Sequence, residues 1–544
     1  METAFFNNKG KPYIAIAGEV HNSSASSLVY MEHVWEKAEK LGLNTVLLPV
    51  SWELLEPEEG TFCFDLVDGL IAQAREHGMK IVFLWFGTWK NAQCMYAPEW
   101  VKTDLQRFPR AQIEKGKNKT RLARFYGFPY TTLSYLGEET NRTDARAFAM
   151  LMRHIRECDE EIGTVIGVQV ENETGIQGSD REHSEEADRL YEESVPAGLI
   201  RYLKENPDSV SIPVRTVLEQ APETGNWSTV FRELAGEAFS AFHIAKYVER
   251  VAQAGKKEYS LPMYVNCWLD KGEEAGVYPS GGPVEKMMPI WKYAAPSIDF
   301  FAPDIYVTNF CDICDAYKKN GNPLFVPETA AHAYAAPRLV YVIGHYHAIG
   351  YAPFGFEDMG ERNDSAAGFL FGMDITDPLL KKPQDPEEYH FCAKNLNDMM
   401  PLLTKAYGTS NLQAVISERM DMTPLDFGKG AALQMSDSNA EHDTMIFGDF
   451  GFRVLMNVPM VTRADGVCMI LKANADTYYI LANGCMLRPF SMERQKTEYD
   501  IICLEEGWFE AGRWVCGRRL NGDEAASLVY NDYTLLRLRV FQYQ

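Results

Sequence analysis

No run of about 18 apolar residues occurs anywhere in this 544-residue chain, so no segment reads as a membrane-spanning helix. The opening Met1-Glu2-Thr3-Ala4 has neither a basic stretch nor an apolar one behind it, and the expectation is a chain without an export signal. Cysteine is sparse and irregular. Eleven thiols, an odd number with no repeated spacing, do not make a disulfide framework and suit a reduced, cytoplasmic protein. Cys311-x-x-Cys314 has no second pair to complete a zinc site, so no metal and no other cofactor is expected. Basic charge is short as well: 53 Lys and Arg stand against 76 Asp and Glu, a net charge of −23. That balance argues against nucleic acid and against an anionic membrane as partner, and fits a neutral small molecule. The oligomeric state is left open, a homo-oligomer included. Low-complexity tracts, internal repeats and a Ser/Gly/Pro linker are all missing.

What is present is a repeated strand and helix pattern. Short apolar strands at Pro12–Ala17, Thr45–Val50 and Ile81–Leu84 are separated by helical periodicities. In the first helix Leu28, Met31, Val34, Trp35, Ala38 and Leu41 share a stripe that ends at Gly42, and Asp65 is placed to cap the second. Further strands are expected at Thr164–Val170, Met263–Val265, Phe300–Ala302, Leu324–Val326 and Gly350–Phe354, with helices over Asp144–Ile162, Val230–Ala254 and Arg338–His347. Eight such units over about 400 residues predict a (β/α)8 TIM barrel, an α/β fold, over residues 1–408. Long insertions follow strand three, with Trp100, Phe125, Tyr126, Phe128 and Tyr130, and strand four, with an acidic helical excursion over 176–227. After residue 408 helical periodicity gives way to β-rich runs such as Thr534–Phe541, where Leu536, Leu538 and Val540 alternate with Arg537 and Arg539. Residues 409–544 are expected to form an all-β, sandwich-like domain packed on the barrel.

In such barrels chemistry sits at the carboxyl ends of the strands. Strand four ends in Glu171-Asn172-Glu173 and strand seven in Pro327-Glu328. Two carboxyls facing one pocket are what cleavage of a glycosidic bond requires. Strict alternation would send Glu171 and Glu173 to the same side, so Glu171 stays a rival to Glu173 at this point. Trp52, Trp85, Trp268, Tyr306 and Phe356 stand at strand ends as platforms for sugar C–H faces, or equally as barrel core. Glu19, His21 and Glu357 are placed to hydrogen-bond hydroxyls; Glu53 reads better as a loop carboxylate.

These pieces resemble glycoside hydrolase family 35, the β-galactosidase family, within the clan of retaining barrels. The matching stretches are Gly18-Glu19-Val20-His21, Asn44-Thr45-Val46 with Glu56-Pro57-Glu58-Glu59-Gly60, and Gln169-Val170-Glu171-Asn172-Glu173-Thr174-Gly175. In the tail, Gly512-Arg513-Trp514 and Arg518-Arg519-Leu520-Asn521-Gly522-Asp523-Glu524 resemble a β domain often attached to bacterial members. The resemblance implies Glu173 as acid/base, Glu328 as nucleophile, Asn172 on the sugar 2-hydroxyl and Tyr306 as donor to the nucleophile. Thr174 stands where Tyr is usual, strand two ends in Ser51-Trp52-Glu53, and the strand-one His lacks the usual aromatic and Arg after it. The implied activity is an exo-acting retaining β-galactosidase on oligosaccharides. The alternatives are a retaining β-glycosidase for glucosides, glucosaminides or arabinopyranosides, and a barrel that only binds carbohydrate.

Overall fold

The computed structural model describes residues 6–113, 124–125, 128–129, 131–361, 378–420, 422, 443–492 and 498–543. Tyr126 and Tyr130 of the aromatic insertion lie outside these residues.

Eight parallel strands close into a barrel. They are β1 (Ala15–Glu19), β2 (Thr45–Ser51), β3 (Lys80–Phe86), β4 (Val165–Val170), β5 (Met263–Trp268), β6 (Phe300–Ile305), β7 (Phe325–Thr329) and β8 (Gly350–Pro353). The helices around it include α1 (Leu28–Lys40), α2 (Asp65–Glu76), α3 (Glu138–Asp159), α4 (Ala235–Glu258), α5 (Met288–Ala294), α6 (Phe310–Lys318), α7 (Ala335–His345) and α8 (Pro386–Asp398). The TIM barrel expected from the sequence is therefore the fold observed.

The period of two along each strand sorts side chains into two cores. Ala15 and Ala17, Val82, Leu84 and Phe86, and Phe300 and Ala302 point inward and pack on one another. Their neighbours Ile16, Ile81, Phe83, Trp85 and Phe301 point outward and join the helices in a larger core. The inward columns continue upward into polar residues: Ala17 is followed by Glu19, Tyr264 by Asn266, and Ala302 by Asp304. At the opposite end Phe6 plugs the barrel, its ring edge-on to Phe300 and Phe325 at 6.0 and 5.4 Å. Phe6 belongs to a short hairpin, Phe6–Asn8 with Lys11–Tyr13, so Pro12 and Tyr13 lie outside the barrel strand they were expected to begin.

Helix α1 buries Met31, Val34, Trp35 and Ala38, and Ser27 Oγ caps it by accepting from the Tyr30 N–H. Asp65, expected as a cap, is instead the first residue inside α2; Phe64 holds the cap position and its side chain makes no capping bond. The segment after β4 carries helices at Glu185–Glu192, Ala197–Glu205 and Ile212–Glu219.

The tail holds two antiparallel sheets. One has the order β9 (Leu412–Ile416), β12 (Val467–Lys472), β13 (Thr477–Asn483), β18 (Thr534–Tyr543), β15 (Glu498–Glu510) and β16 (Arg513–Arg519). The other has β10 (Thr444–Phe447), β11 (Phe450–Leu455), β14 (Cys485–Ser491) and β17 (Val529–Tyr530). Phe452 and Leu487 from one sheet meet Ile470, Ile480, Leu536 and Leu538 from the other. The sandwich rests on the barrel flank at α7. A Cβ on Gly344 would approach Ala414 and Met469 to under 3 Å, which is why the helix carries Gly there. Arg338, buried on α7, donates Nε and Nη2 to the Glu418 carboxylate at 2.9 and 3.2 Å.

All eleven cysteines are free thiols, and Cys311 and Cys314 are buried on α6. Among the described residues no helix is long and apolar enough to cross a membrane.

Candidate active site

The inward strand ends gather one group of carboxyls. Glu173, Asp304 and Glu328 each place an oxygen so that all three lie within 4.8 Å of one another, and all three residues are buried. Glu19, fully buried at the end of β1, faces the same space, and neither of its carboxyl oxygens has a hydrogen-bond partner among the described residues.

Backbone geometry puts Glu173 there and takes Glu171 away. Both residues have positive φ, 63° and 46°, a left-handed conformation that costs a non-glycine residue about 1–2 kcal/mol. The turn is held by its neighbours. The Trp89 N–H donates to Glu171 Oε2 at 2.7 Å, the Asn172 N–H to the Trp89 carbonyl at 3.2 Å, and the Glu173 N–H to Asn266 Oδ1 at 2.9 Å. Strict alternation, which would aim both Glu residues the same way, is thereby broken. Glu171 ends behind the barrel wall against Asp144 of α3. Asp144 accepts from Trp85 Nε1 at 2.9 Å and from the Tyr247 hydroxyl at 3.0 Å. Burial first, and then the charge of Asp144, hold the Glu171 carboxyl well above its ordinary value. Gly87 makes this approach possible, since a Cβ there would lie 2.8 Å from both Asp144 Oδ1 and Glu171 Oε1.

Glu328 receives two donors, the Tyr306 hydroxyl on Oε2 at 2.9 Å and Asn172 Nδ2 on Oε1 at 3.4 Å. Glu173 stands differently. Burial, and then the charge of Glu328, push its carboxyl up to about 8, while Lys90 and a hydrogen bond with Asp304 pull the other way. Asp304 is held by Asn266 Nδ2 at 2.7 Å. Burial, followed by the charges of Glu328, Glu173 and Glu19, keeps Asp304 well above the usual carboxylate range. Two carboxyls in hydrogen-bond contact need a proton between them, so Glu173 and Asp304 hold at least one.

Of the other candidates, Trp268 is half-buried at the end of β5 and in register with Asp304, on the mouth side. His21 sits at the rim, 43% exposed, its Nε2 2.7 Å from Asp358 Oδ2. Glu357 is buried beside it and accepts from Ser24 Oγ at 3.3 Å. Three aromatic candidates lie elsewhere. Trp85 alternates with the inward Leu84 and Phe86, so it faces α3. Trp52 follows Ser51, which pairs with Phe86, and therefore turns outward; its Nε1 donates to Glu56 Oε2 at 2.9 Å and its ring meets Trp100 edge-on. Phe356 packs on the outer face of β1, where a Cβ on Gly18 would lie 2.4 Å from its ring. These three are core, not sugar platforms. Glu53 is bound to Lys102 at 3.0 Å.

The structure adds Lys90, Asn266 and Asp304 to the site. Asn266 and Asp304 could have been found as the next members of inward columns. Lys90 lies in the loop after β3, where no periodicity points to it. As possible holders of an ion, the three clustered carboxyls already share their pocket with the Lys90 ammonium. A second trio, Asp68, His154 and Cys158, lies on the outer face, with His154 Nε2 2.6 Å from Asp68 Oδ1.

Residues 29–211 match the family 42 glycoside hydrolase model, described as beta-galactosidase, and residues 394–529 match a domain of unknown function. A beta-galactosidase of Xanthomonas manihotis is 28% identical over 240 residues, which are 44% of this chain and 35% of that protein. The matched stretch is thus about a third of that relative. Among solved structures, the beta-galactosidase of Bacillus circulans sp. alkalophilus superposes with a TM-score of 0.46 at 14% identity, over 72% of this chain and 57% of that one. The beta-galactosidase of Rahnella sp. R3 gives 0.41 at 16% identity, over 65% and 52%. The chain is a relative of the clan A glycoside hydrolases, and the family model it matches is that of family 42, in place of the family 35 suggested by its motifs.

Proposed function

We propose that this protein is an exo-acting retaining glycoside hydrolase that removes terminal β-D-galactosyl residues from oligosaccharides. The observation that carries the reading is the spacing of Glu173 and Glu328. Oxygens within 4.8 Å fit the separation of roughly 5 Å in retaining enzymes and fall short of the roughly 6.5–9.5 Å of inverting ones. Glu328, served by Tyr306 and Asn172, attacks the anomeric carbon as the glycosidic C–O bond breaks. Glu173 gives its proton to the departing oxygen. In the second half-reaction Glu173 takes a proton from water, the water oxygen bonds to the anomeric carbon, and the ester to Glu328 is released. The two environments support this division, one carboxyl kept protonated by burial and the other supplied with donors. The unpartnered oxygens of Glu19 suit acceptors for sugar hydroxyls, and Trp268 suits a stacking platform. Galactose rests on the family 42 match of residues 29–211.

A panel of nitrophenyl β-glycosides, with galactose, glucose, N-acetylglucosamine and arabinopyranose, tests the reading. The galactoside is expected to turn over fastest, and NMR of the first-formed sugar to show the β-anomer. No turnover of any member would favour a barrel that only binds carbohydrate, and an initial α-anomer would exclude retention.

The pH dependence follows from Glu173. The group works as an acid, so it must be protonated, and its raised value keeps it so up to about 8. The expected kcat/KM for a nitrophenyl galactoside holds through neutral pH and falls as pH rises through about 8. A profile already falling between pH 5 and 6 would contradict the assignment.

A further inference from the structure

Lys90 is a cation where an isolated cation should not be. It is 5% exposed, its Nζ donates to Asn172 Oδ1 at 3.1 Å, and it lies 4.9 Å from the centre of the inward Phe86 ring. The Asn91 N–H donates to the same oxygen at 3.3 Å. With both donors on Oδ1, the amide nitrogen of Asn172 is turned toward Glu328, where it makes its 3.4 Å contact. Lys90 thus decides which end of the Asn172 amide meets Glu328.

The charges around it come from four elements: Glu19 on β1, Glu173 after β4, Asp304 on β6 and Glu328 on β7. Burial alone would pull the Lys90 ammonium down, but these carboxyls more than offset it and hold it above its ordinary value. Lys271 also acts on Glu173, but it is exposed and open to screening by salt.

From this geometry we infer that Lys90 is the counter-cation of the reacting centre, matching a single negative charge that moves from Glu328 to Glu173 and back. The inference rests on the function proposed above. At rest the charge is on Glu328. When the Glu328 oxygen bonds to the anomeric carbon, that carboxyl becomes a neutral ester, and Glu173, having given its proton to the leaving oxygen, becomes the anion. When water adds, its proton returns to Glu173 and the electron pair of the broken ester returns to Glu328. The sum of charges near Lys90 is the same in both states, so neither half-reaction leaves the buried ammonium unmatched. Lys90 hydrogen-bonds Asn172, which in turn donates to Glu328, so it is a positioning residue.

The test is Lys90→Met and Lys90→Arg, with the pH profile of kcat/KM on the nitrophenyl galactoside as readout. Loss of the cation disfavours both anions. In Lys90→Met the fall of kcat/KM expected through about pH 8 should move to higher pH by about 1–3 units. At neutral pH the rate should fall by about 10²-fold. Lys90→Arg keeps the charge and should leave that fall within about half a unit of wild type, even if its bulk lowers the rate. A folded Lys90→Met whose rate drops with that fall unmoved would overturn the inference, because a packing role lowers rate without moving the titration. Should Lys90→Met not fold, Lys90→Gln replaces it with the same two outcomes. The wild type separates this from the proposed function. If it hydrolyses no glycoside, that function fails and this inference falls with it; if it does and the fall stays put in Lys90→Met, only the role of Lys90 fails.

Discussion

Glu328→Ala is expected to abolish turnover. In the proposed mechanism the residue supplies the attacking oxygen, and its carboxylate accepts from Tyr306 and Asn172. Deleting a covalent nucleophile costs on the order of 10⁴–10⁶ in kcat. Even a dinitrophenyl galactoside, whose leaving group needs no proton, should show neither burst nor covalent adduct, since the first bond cannot form. Azide can enter the space that the carboxylate vacates and attack from that same side. The product would then be the α-galactosyl azide, from a single displacement. Circular dichroism and the melting profile check that the barrel is intact. Retention of more than about a hundredth of wild-type rate would remove Glu328 from the nucleophile role.

Glu173→Ala should fail in a different way. Natural disaccharides need the acid, and positioned acid–base catalysis is worth about 10²–10⁴-fold, so their cleavage should collapse by that factor. A dinitrophenyl galactoside should still form the glycosyl-enzyme and release one equivalent of phenolate. Turnover then stalls, because the incoming water has lost its base. Azide needs no base, so it should restore turnover and give the β-galactosyl azide. Glu171→Ala is the control. Glu171 is bonded to the Trp89 N–H behind the barrel wall, so its loss should weaken the turn and lower the rate without azide rescue. Rescue of Glu171→Ala and not of Glu173→Ala would mean that the acid/base is Glu171.

Much of this arrangement can be read in the residues, and the parts that cannot have a common cause. Strands such as Thr45–Ser51 and Val165–Val170 are β-branched runs buried on both faces, a pattern few other elements share. Strand-end carboxylates are visible for the same reason: the apolar run stops abruptly at Glu171 and at Glu328. What one sequence hides is the direction of side chains where the period of two breaks. Trp85 and Phe86 are equally apolar, yet one faces a helix and the other the barrel axis, and only the register shared with β2 separates them. Trp52 and Phe356 are strand-end aromatics that read equally as sugar platforms or as barrel core, and the structure turns both into the core. Glu171 and Glu173 differ because two left-handed residues follow β4, and the groups that hold them, Trp89 and Asn266, are distant in sequence. Lys90 is the extreme case. It follows Trp89 in an irregular loop and gains its meaning only when four strand ends converge on it.

Every residue of the candidate site precedes residue 409, and the sandwich meets the barrel at α7, where Arg338 and Glu418 form their buried pair. A role for the domain beyond holding that flank finds no residue in the site described above.

The central claim is that Glu328 forms a covalent bond to the sugar while Glu173 handles the proton. The most direct measurement is to incubate the protein with 2,4-dinitrophenyl 2-deoxy-2-fluoro-β-D-galactoside and record the intact mass, then map the labelled peptide. The fluorine slows both steps and the good leaving group restores the first, so the intermediate accumulates. The account expects one fluorogalactosyl adduct per chain, on the peptide containing Glu328, absent from Glu328→Ala and still formed by Glu173→Ala. A stable, active protein that gains no adduct, or one labelled at Glu173, Asp304 or Glu19, would contradict it.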